Sequence, residues 1–409
     1  MSRIALAWEL GANLGHIDRL LPVARVLRAR GHELVFVLRD LSRAHPRIAV
    51  EGFQLGQAPV WLPRMVNPPQ FSNYCMALAS AGWLDAPGLA GLLAGWKTWY
   101  DLLEPDAVIC DFAPTAVLAA RGRSMKVWTL GSSFERPPSG EFFPPLAFWE
   151  PAHAAQCAGY DATVLPHVNQ ALALHGMAPL PRLAALFDGA ACALATLPEL
   201  SHYGGYGPEA HFCGPLYLDD GGVAPRWPAG DGPRVFVYLS PSHPDFRPLL
   251  DALRAEERVA VVLARGISAD AAARLAGPHL HLEAEPLHMQ QVMAQADLVV
   301  SHGGMGTTSA ALLSGKPQLL LPTHMEQAMV GRRMADAGLG IALPVSPQAR
   351  AGQPPPKPTT DWRRLLRRLL NEPAWAAAAR SAAERHTGAS PSATSERVAD
   401  LVEASLRIA

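Results

Sequence analysis

Short apolar runs alternate with segments of helical periodicity along most of this 409-residue chain. In the first half, the apolar run RIALAWEL precedes a segment whose apolar residues recur on one helical face, and Gly31 ends that segment before the run HELVFVL. The second half repeats the alternation, from RVFVYLS to EQAMVGRRMADAG. Alternation of this kind is typical of parallel sheets, because each parallel connection needs a crossover helix. The pattern therefore predicts an α/β fold.

A stretch rich in Gly, Pro and Asp over residues 216–233 separates the two halves. We therefore predict an N-terminal Rossmann-like domain over 1–215, a linker over 216–233 and a second Rossmann-like domain over 234–385. Residues 386–409 are predicted to form a C-terminal helix that could pack back on the N-terminal domain. The predicted architecture is two doubly wound domains facing across a cleft, and that cleft is the expected active site.

Composition narrows the class of function. The chain is 49% hydrophobic and 17% charged with a formal net charge of −1, which argues against a nucleic-acid partner. No apolar run reaches the roughly 18 residues of a membrane span, and the start MSRIALAWEL does not have the pattern of a signal peptide. The five cysteines are scattered, which suggests reduced core thiols. We expect a cytoplasmic protein without an integral membrane segment.

The sharpest local signal lies in residues 297–327, where the apolar run LVV leads into a glycine-rich turn and then a helix. Glycines allow the backbone to approach a ligand closely. The free N–H groups and the positive end of the helix dipole point at the same place. Side-chain donors add to them. The pattern predicts a metal-free diphosphate site that contains His302, Gly303, Gly304, Gly306 and Thr307, with Thr308 as a further hydroxyl donor.

The run H-G-G-M-G-T, followed by A-L, G-K-P, an apolar run ending in Pro, and E-Q, resembles the C-terminal nucleotide-sugar motif of family 1 glycosyltransferases. These enzymes have the GT-B fold, and the motif is closest to that of bacterial macrolide, glycopeptide and rhamnolipid-type glycosyltransferases. The resemblance implies that Glu326 and Gln327 bind sugar hydroxyls. It also implies that Leu287 and Met289 lie in the nucleobase pocket.

The sequence departs from the family pattern at two places. Ser240 and Ser242 stand where relatives carry a strand ending in S-L-G-S/T, but Pro241 interrupts the match; we still include both serines in the predicted donor site. Eight residues after the motif histidine, many relatives carry a Glu that binds ribose hydroxyls, and here that position is Ala310. Because deoxyribose lacks the 2′-hydroxyl, this alanine favours a dTDP-sugar donor, with a UDP-sugar as the alternative.

Glycosyl transfer also needs a group that removes a proton from the acceptor hydroxyl. His16 follows the first apolar run at the start of the first helical segment, where the positive helix end disfavours the imidazolium and keeps the ring neutral. The resemblance implies that His16 is the general base and that Asp111, at the end of the run DAVICD, orients it. Asp18 is a rival partner that lies two residues further along the helix.

The acceptor is expected to bind the N-terminal domain. Two irregular regions there are rich in large apolar side chains, which suggests a hydrophobic small molecule such as a polyketide, lipid or phenolic natural product. The candidate acceptor contacts are Trp61, Phe71 and Phe143.

The sequence therefore predicts an enzyme, a glycosyltransferase that moves a hexose or deoxyhexose from a nucleotide-diphosphate sugar to a hydroxyl of a hydrophobic acceptor. The expected mechanism is inverting and metal-independent, because no D-x-D motif for a cation is present and no cofactor is implied. Two alternatives remain open: a nucleotide-sugar epimerase or hydrolase on the same fold, and a non-catalytic transferase-like auxiliary protein. The sequence does not specify the acceptor, the sugar or the oligomeric state.

Overall fold

The computed structural model describes residues 1–11, 14–63, 69, 71–217, 221–345 and 360–407. The chain divides into two compact units. Unit 1 comprises Met1–Leu197, Ser201–Leu218 and Ser390–Ala409, and unit 2 comprises Pro198–Leu200 and Asp219–Ala389. Among the described residues, no helix has the length and apolar character needed to cross a membrane.

Unit 1 begins with strands and helices that alternate, with short 3-10 turns between some of them. In chain order they are β1 (Arg3–Trp8), α1 (Gly15–Ala29), β2 (Glu33–Leu38), α2 (Leu41–Ile48), β3 (Gln54–Gln57), α3 (Cys75–Ser80), α4 (Ala86–Leu103), β4 (Ala107–Asp111), α5 (Pro114–Ala119), β5 (Lys126–Gly131), α6 (Pro151–Leu174), β6 (Ala191–Leu194) and β7 (Ala210–Phe212).

Unit 2 repeats the alternation, and the last helix then returns to unit 1. The elements are β8 (Arg234–Tyr238), α7 (Phe246–Ala255), β9 (Val259–Leu263), α8 (Ala269–Leu275), β10 (Leu280–Glu283), α9 (Met289–Gln295), β11 (Leu298–Ser301), α10 (Met305–Leu313), β12 (Gln318–Leu320), α11 (Met325–Asp336), β13 (Gly340–Ala342), α12 (Trp362–Asn371), α13 (Pro373–Arg385) and, in unit 1, α14 (Pro391–Arg407).

The described residues of each unit form a parallel sheet, and the two sheets have matching strand orders. The order is β3-β2-β1-β4-β5-β6-β7 in unit 1 and β10-β9-β8-β11-β12-β13 in unit 2. In each sheet the order reverses beside the first strand of the unit, so the switch points lie between β1 and β4 and between β8 and β11. Ligands of doubly wound sheets bind at the carboxyl ends of the strands at such points. The α/β fold class is therefore confirmed.

Helix α1 shows why the pattern folds in this way. Its apolar residues repeat at helical spacing, so one face can pack on the sheet while most charged residues stay on the other, with Arg19 as a buried exception. That packed face joins the core of unit 1 through the buried residues Ile17, Leu20, Leu21, Ala24 and Leu27. Three residues of α14, Val398, Ala399 and Val402, are buried in the same core.

Candidate functional site

The switch point of unit 1 brings together the two residues predicted as its catalytic pair. Trp8 at the end of β1 is the parallel partner of Asp111 at the end of β4. Helix α1 starts at Gly15 after the loop that follows β1, which places His16 over the same sheet edge. The Nδ1 atom of His16 lies 2.9 Å from Oδ1 of Asp111, within hydrogen-bonding distance.

The second ring nitrogen of His16 lies beside Gly11. The residue His16 is only 8% exposed, and its ring stacks on the Trp8 ring with the ring centroids 5.2 Å apart. Gly11 has a φ of +81°, and a Cβ atom added there would overlap Nε2 of His16. Glycine is therefore required at position 11 both by the backbone conformation and by the space that Nε2 occupies.

Asp111 is completely buried, yet it is held as a carboxylate. Burial raises the pKa of its carboxyl, but the positive charge of Arg19, the interaction with His16 and hydrogen bonds from both residues more than offset this effect. The net result is a pKa below the usual value for aspartate. Asp111 therefore accepts hydrogen bonds and carries a negative charge next to the His16 ring.

Two residues that the sequence motif did not include, Arg19 and Glu135, complete this group. Arg19 donates from Nε to Asp111 Oδ2 at 2.8 Å and from Nη2 to Asp111 Oδ1 at 2.7 Å. The same Nη2 atom lies 2.7 Å from Glu135 Oε1. Arg19 follows His16 by three residues, a spacing that places two side chains on one helix face and could have indicated this partner. Glu135 lies beyond β5 and gave no local signal.

Asp18, the rival partner for His16, is occupied elsewhere. Its carboxylate forms an ion pair with Arg47 of α2 rather than with His16. The helical geometry explains the difference, because residues 16 and 18 point in directions about 200° apart on a helix.

A compact group of possible metal ligands, His16, Asp111 and Glu135, lies at the same place. Their ligand atoms are all within 4.8 Å of one another. However, Nη2 of Arg19 lies 2.7–2.8 Å from an atom of each of the three. A guanidinium already supplies the positive charge there, so the group does not fit a cation site.

The switch point of unit 2 contains the predicted diphosphate loop. Strand β11 ends at Ser301 beside Tyr238 of β8, and the chain then turns through His302 and Gly303. The Ser301 hydroxyl accepts a hydrogen bond from the Gly303 N–H at 3.2 Å, and Gly303 has a φ of +90°. Gly304 is the N-cap residue of α10 and has no capping side chain, so the first N–H groups of this helix remain available to an anion.

His302 contributes a neutral ring to this loop. Its pKa is lowered, mainly by burial and further by His324 and His243, while a hydrogen bond to the Tyr238 backbone acts in the opposite direction. A Cβ atom at Gly304 would lie 2.9 Å from Nε2 of His302, so glycine at 304 leaves room for the ring.

The two threonines of the loop differ in exposure. Thr307 is partly exposed, whereas Thr308 is fully buried. The Thr308 hydroxyl has no hydrogen-bond partner among the described residues. Helical geometry thus turns the second threonine toward the interior, and the role of Thr308 as a further donor stays a prediction.

The two residues of α11 that were predicted to bind the donor sugar lie close to this loop. Gln327 is buried, and its Oε1 accepts hydrogen bonds from the N–H and hydroxyl of Thr323 at 2.9 and 3.0 Å. A Cβ atom at Gly303 would be 3.4 Å from the Gln327 carbonyl oxygen, so helix and loop are in contact. Glu326 is partly exposed, with its carboxylate 3.9 Å from His324 Nδ1.

The other residues predicted to bind the nucleotide sugar lie in two other segments of unit 2. Ser240 and Ser242 follow β8, are exposed, and bond to each other through their hydroxyls at 2.7 Å. Leu287 is buried against the backbone of Gly222 and Val223, and Met289 begins α9. Ser240 lies two residues after Tyr238, whose ring packs edge-on against His302 with the centroids 5.5 Å apart, and helix α9, which begins at Met289, packs against α10.

The predicted acceptor residues have different environments. Trp61 and Phe71 are partly exposed; Trp61 lies against the backbone of Gly82 and Gly88, and Phe71 packs edge-on against Tyr160. Phe143 is fully buried. Its ring packs on Tyr74 and Phe187 in the core, so it has no exposed surface that could contact an acceptor.

The chain resembles known proteins in sequence. Residues 278–404 match the family model described as "Erythromycin biosynthesis protein CIII-like, C-terminal domain". The chain is 25% identical to demethyllactenocin mycarosyltransferase of Streptomyces fradiae over 80% of this chain and 72% of that protein. It is 39% identical to elloramycin glycosyltransferase of Streptomyces olivaceus over 26% of this chain, but the match spans only 24% of that relative's length.

Solved structures resemble the whole chain. The calicheamicin glycosyltransferase aligns with a TM-score of 0.70 at 18% identity, over 100% of this chain and 99% of that one. The kitacinnamycin glycosyltransferase aligns with a TM-score of 0.69 at 20% identity, over 98% of both chains. At sequence identities of 18% and 20%, the structural similarity shows the fold alone.

The fold is that of a two-unit α/β protein of the GT-B type. The comparisons confirm the predicted resemblance to family 1 glycosyltransferases, including the bacterial antibiotic glycosyltransferases. The curated relatives and the solved structures named here are themselves glycosyltransferases.

Proposed function

We propose that this chain is an inverting glycosyltransferase that moves a hexose or deoxyhexose from a nucleotide-diphosphate sugar to a hydroxyl of a hydrophobic small molecule. One observation carries the proposal: each unit presents its own part of the required chemistry at the switch point of its sheet. Unit 1 places the His16–Asp111 pair there. Unit 2 places the His302–Gly304 loop and the uncapped start of α10 there.

In the proposed reaction, Nε2 of His16 accepts the proton of the acceptor hydroxyl. The oxygen then forms a bond to the anomeric carbon while the bond from that carbon to the diphosphate oxygen breaks, and the nucleoside diphosphate leaves with the electron pair. The Asp111 carboxylate stabilises the imidazolium that forms. Direct displacement on one face of the sugar inverts the configuration.

The start of α10 would stabilise the leaving diphosphate through backbone N–H groups and the helix dipole. Thr307 adds a hydroxyl, and Glu326 and Gln327 of α11 are the proposed contacts to the sugar. The neutral His302 ring donates one N–H to the Tyr238 backbone. Its other nitrogen can donate only when the ring is protonated, a state that a bound diphosphate favours. This charge balance needs no metal ion.

We propose a dTDP-sugar as the donor, with a UDP-sugar as the alternative. Ala310 offers no hydrogen-bond acceptor for a ribose 2′-hydroxyl, and its side chain is buried in α10. Among the structural neighbours, VinC is described in complex with dTDP, and the spinosyn rhamnosyltransferase SpnG with thymidine diphosphate. Both have TM-scores above 0.6 with this chain.

For the acceptor, the partly exposed Trp61 and Phe71 are the proposed contacts. Replacing Trp61 with Ala should raise the acceptor KM and leave dTDP affinity unchanged. An unchanged acceptor KM would remove Trp61 from the acceptor site.

The test of the donor site is thermal-shift binding of dTDP, UDP, GDP and ADP, each with and without EDTA. We expect selective stabilisation by dTDP that EDTA does not change. Stabilisation by UDP alone would overturn the dTDP proposal, and loss of the shift in EDTA would overturn metal independence.

The test of the base is turnover by His16→Ala and Asp111→Asn with the donor at saturation. Loss of a general base should lower kcat by about 100-fold or more, while dTDP affinity stays constant. Donor hydrolysis without transfer would favour the hydrolase alternative, and binding without turnover in the unaltered chain would favour an auxiliary protein.

A further inference from the structure

Arg19 and Glu135 surround the His16–Asp111 pair in a way that a simple dyad does not need. All four side chains are buried. The Nη2 atom of Arg19 lies 2.7 Å from both Asp111 Oδ1 and Glu135 Oε1, and 2.8 Å from His16 Nδ1. One guanidinium nitrogen therefore contacts the other three members of this tetrad, defined as His16, Arg19, Asp111 and Glu135.

The hydrogen bonds of Arg19 Nη2 determine the tautomer of His16. Nη2 of an arginine has two hydrogens, and two carboxylate oxygens lie at 2.7 Å from it. Both hydrogens are used by these charged acceptors, which bind more strongly than a neutral ring nitrogen. The bond between His16 Nδ1 and the Asp111 carboxylate then requires the proton on Nδ1. Nε2 is left with a free lone pair, as a general base needs.

The position of the proton on the His16 ring depends on Glu135. If Glu135 did not accept one hydrogen of Nη2, that hydrogen could bond to His16 Nδ1 instead. The ring proton would then lie on Nε2, and the base would be lost. Glu135 is itself fixed by its second oxygen, which accepts from the Ser132 N–H at 2.7 Å and from the Ser132 hydroxyl at 2.9 Å.

The charges of the tetrad also give Glu135 a role. Arg19 neutralises one carboxylate, so Asp111 alone would leave no net negative charge for an imidazolium. Glu135 supplies that charge. The other elements around His16 present the rings of Trp8 and Phe112, and Arg39, which donates to the Gly11 carbonyl at 2.8 Å. None of these three brings a negative charge.

The backbone beside both carboxylates is strained. Phe112, which follows Asp111, has a φ of +47°, and Ser133, two residues before Glu135, has a φ of +87°. Positive φ values cost free energy in residues other than glycine, and they persist where the surrounding structure fixes a functional geometry. The two strained positions lie at the segments that carry the two carboxylates of the tetrad.

We propose that Arg19 and Glu135 are positioning residues that keep the His16 proton on Nδ1, and that Glu135 provides the net negative charge that stabilises the imidazolium during transfer. This proposal rests on the proposed function for the role of His16 as the base. The arrangement of protons and charges is a property of the protein without substrates, so it can be tested separately.

The experiment compares Glu135→Gln, Arg19→Met and the control Asp18→Asn in the full chain. Nitrogen-15 NMR of the histidine rings reports the tautomer and the titration midpoint of His16, whose signals are identified by their absence in His16→Gln. The same variants are assayed for kcat/KM against pH. Asp18→Asn makes the same charge change as Glu135→Gln on the helix that carries His16, at a residue paired with Arg47.

We expect Glu135→Gln to increase the Nε2–H tautomer and to lower the midpoint of the His16 titration by about 1 pH unit. Arg19→Met should raise the midpoint, because it leaves two carboxylates beside the ring, and Asp18→Asn should leave it unchanged. We expect kcat/KM of Glu135→Gln to fall roughly 10-fold or more, with the acid limb of its pH profile shifted in the same direction as the midpoint.

The proposal would be overturned if Glu135→Gln and Arg19→Met shift the titration midpoint of His16 in the same direction, or if Glu135→Gln does not shift it. If Arg19→Met does not fold, the tautomer and midpoint of Glu135→Gln against Asp18→Asn decide it alone. Full activity in His16→Ala would instead refute the base assignment, and the NMR result would still stand or fall independently.

Discussion

Gly11 shows how a single residue controls access to the His16 ring. Its φ of +81° suits glycine, and a Cβ atom at this position would overlap Nε2, the nitrogen proposed to accept the proton. The residue therefore has two separable roles, one in the backbone and one in the space around the base.

We predict that Gly11→Ala lowers kcat/KM by roughly 10- to 100-fold, because displacement of a catalytic group by about 1 Å has effects of this size. The matched control is Gly31→Ala, which has a similar φ of +89° but nothing within 4 Å of the added Cβ. Both variants should lose about 1–2 kcal/mol of stability from the backbone conformation. Equal activity in the two variants, measured beside their melting temperatures, would show that Nε2 is not used.

At this scale the resemblance to family 1 glycosyltransferases implied the pair of His16 and Asp111, and the fold explains why the two residues meet. His16 and Asp111 each follow or end a strand of one parallel sheet, so their proximity follows from the rule that strand ends meet at one edge. Glu135 was missed because its position depends on a loop with unusual dihedral angles, which no periodic pattern encodes. Phe143 was misplaced as a ligand contact because composition alone does not distinguish a buried aromatic ring from an exposed one.

Helix α10 carries the proposed anion contact at its first turn. Its two adjacent threonines face in different directions: Thr307 is partly exposed, and Thr308 is buried with an unsatisfied hydroxyl among the described residues. The same chemical change at the two positions should therefore have different effects.

We predict that Thr307→Val weakens dTDP binding about 10-fold, because a hydrogen bond to a charged group contributes about 1.5 kcal/mol or more. Thr308→Val should leave dTDP affinity unchanged, since it keeps the side-chain shape and removes a hydroxyl that has no partner in the described part of the chain. Calorimetric dissociation constants for both variants make the comparison. A larger loss in Thr308→Val would mean that the second threonine faces the ligand.

Helix α14 completes the core of unit 1. Val398 and Val402 are buried there, Trp128 of β5 donates to the Ser405 hydroxyl at 3.0 Å, and Arg30 pairs with Glu396 and Asp400. The helix is thus part of the first unit, although unit 2 precedes it in the chain.

We predict that Val402→Asp destabilises unit 1 by several kcal/mol, because it buries a charge without a partner. Ala404→Asp is the control, since Ala404 lies on the exposed face of the same helix. Hydrogen exchange should accelerate in β1, β4 and β5 of Val402→Asp, whereas dTDP affinity stays constant. Equal acceleration in β8 and β11 would show that the two units unfold together.

For the whole molecule, Glu9 links stability to pH. Its carboxyl follows β1, is almost completely buried and bonds to the N–H and hydroxyl of Thr115. Burial raises its pKa to about 7 despite these hydrogen bonds. The folded state therefore holds the proton more tightly than the unfolded state does. The stability due to Glu9 is fully present below about pH 4.5 and is lost as the pH rises to about 7.

We predict that Glu9→Gln unfolds at a higher temperature than the parent at pH 8 and at the same temperature near pH 4. The parent should lose about 3 kcal/mol from this group across that range. Glu141→Gln, at an exposed position, should show no such pH-dependent difference. A difference in melting temperature between Glu9→Gln and its parent that is the same at every pH would contradict the prediction.

At the scale of the whole chain, the alternating pattern predicted the fold class, because a buried parallel strand needs a continuous apolar run. The edge strands β3 and β7 escaped prediction, since QLGQ is mostly polar, AHF is only 3 residues long, and each strand has only one neighbour to pair with.

The return of α14 to unit 1 also bears on synthesis. A ribosome makes all of unit 2 before it makes Pro391–Arg407. During that time Ile17, Leu20 and their neighbours lack the helix that covers them in the finished protein. Unit 1 therefore cannot be completed before unit 2 has been translated, and nascent chains would expose its apolar surface to chaperones until α14 has been made.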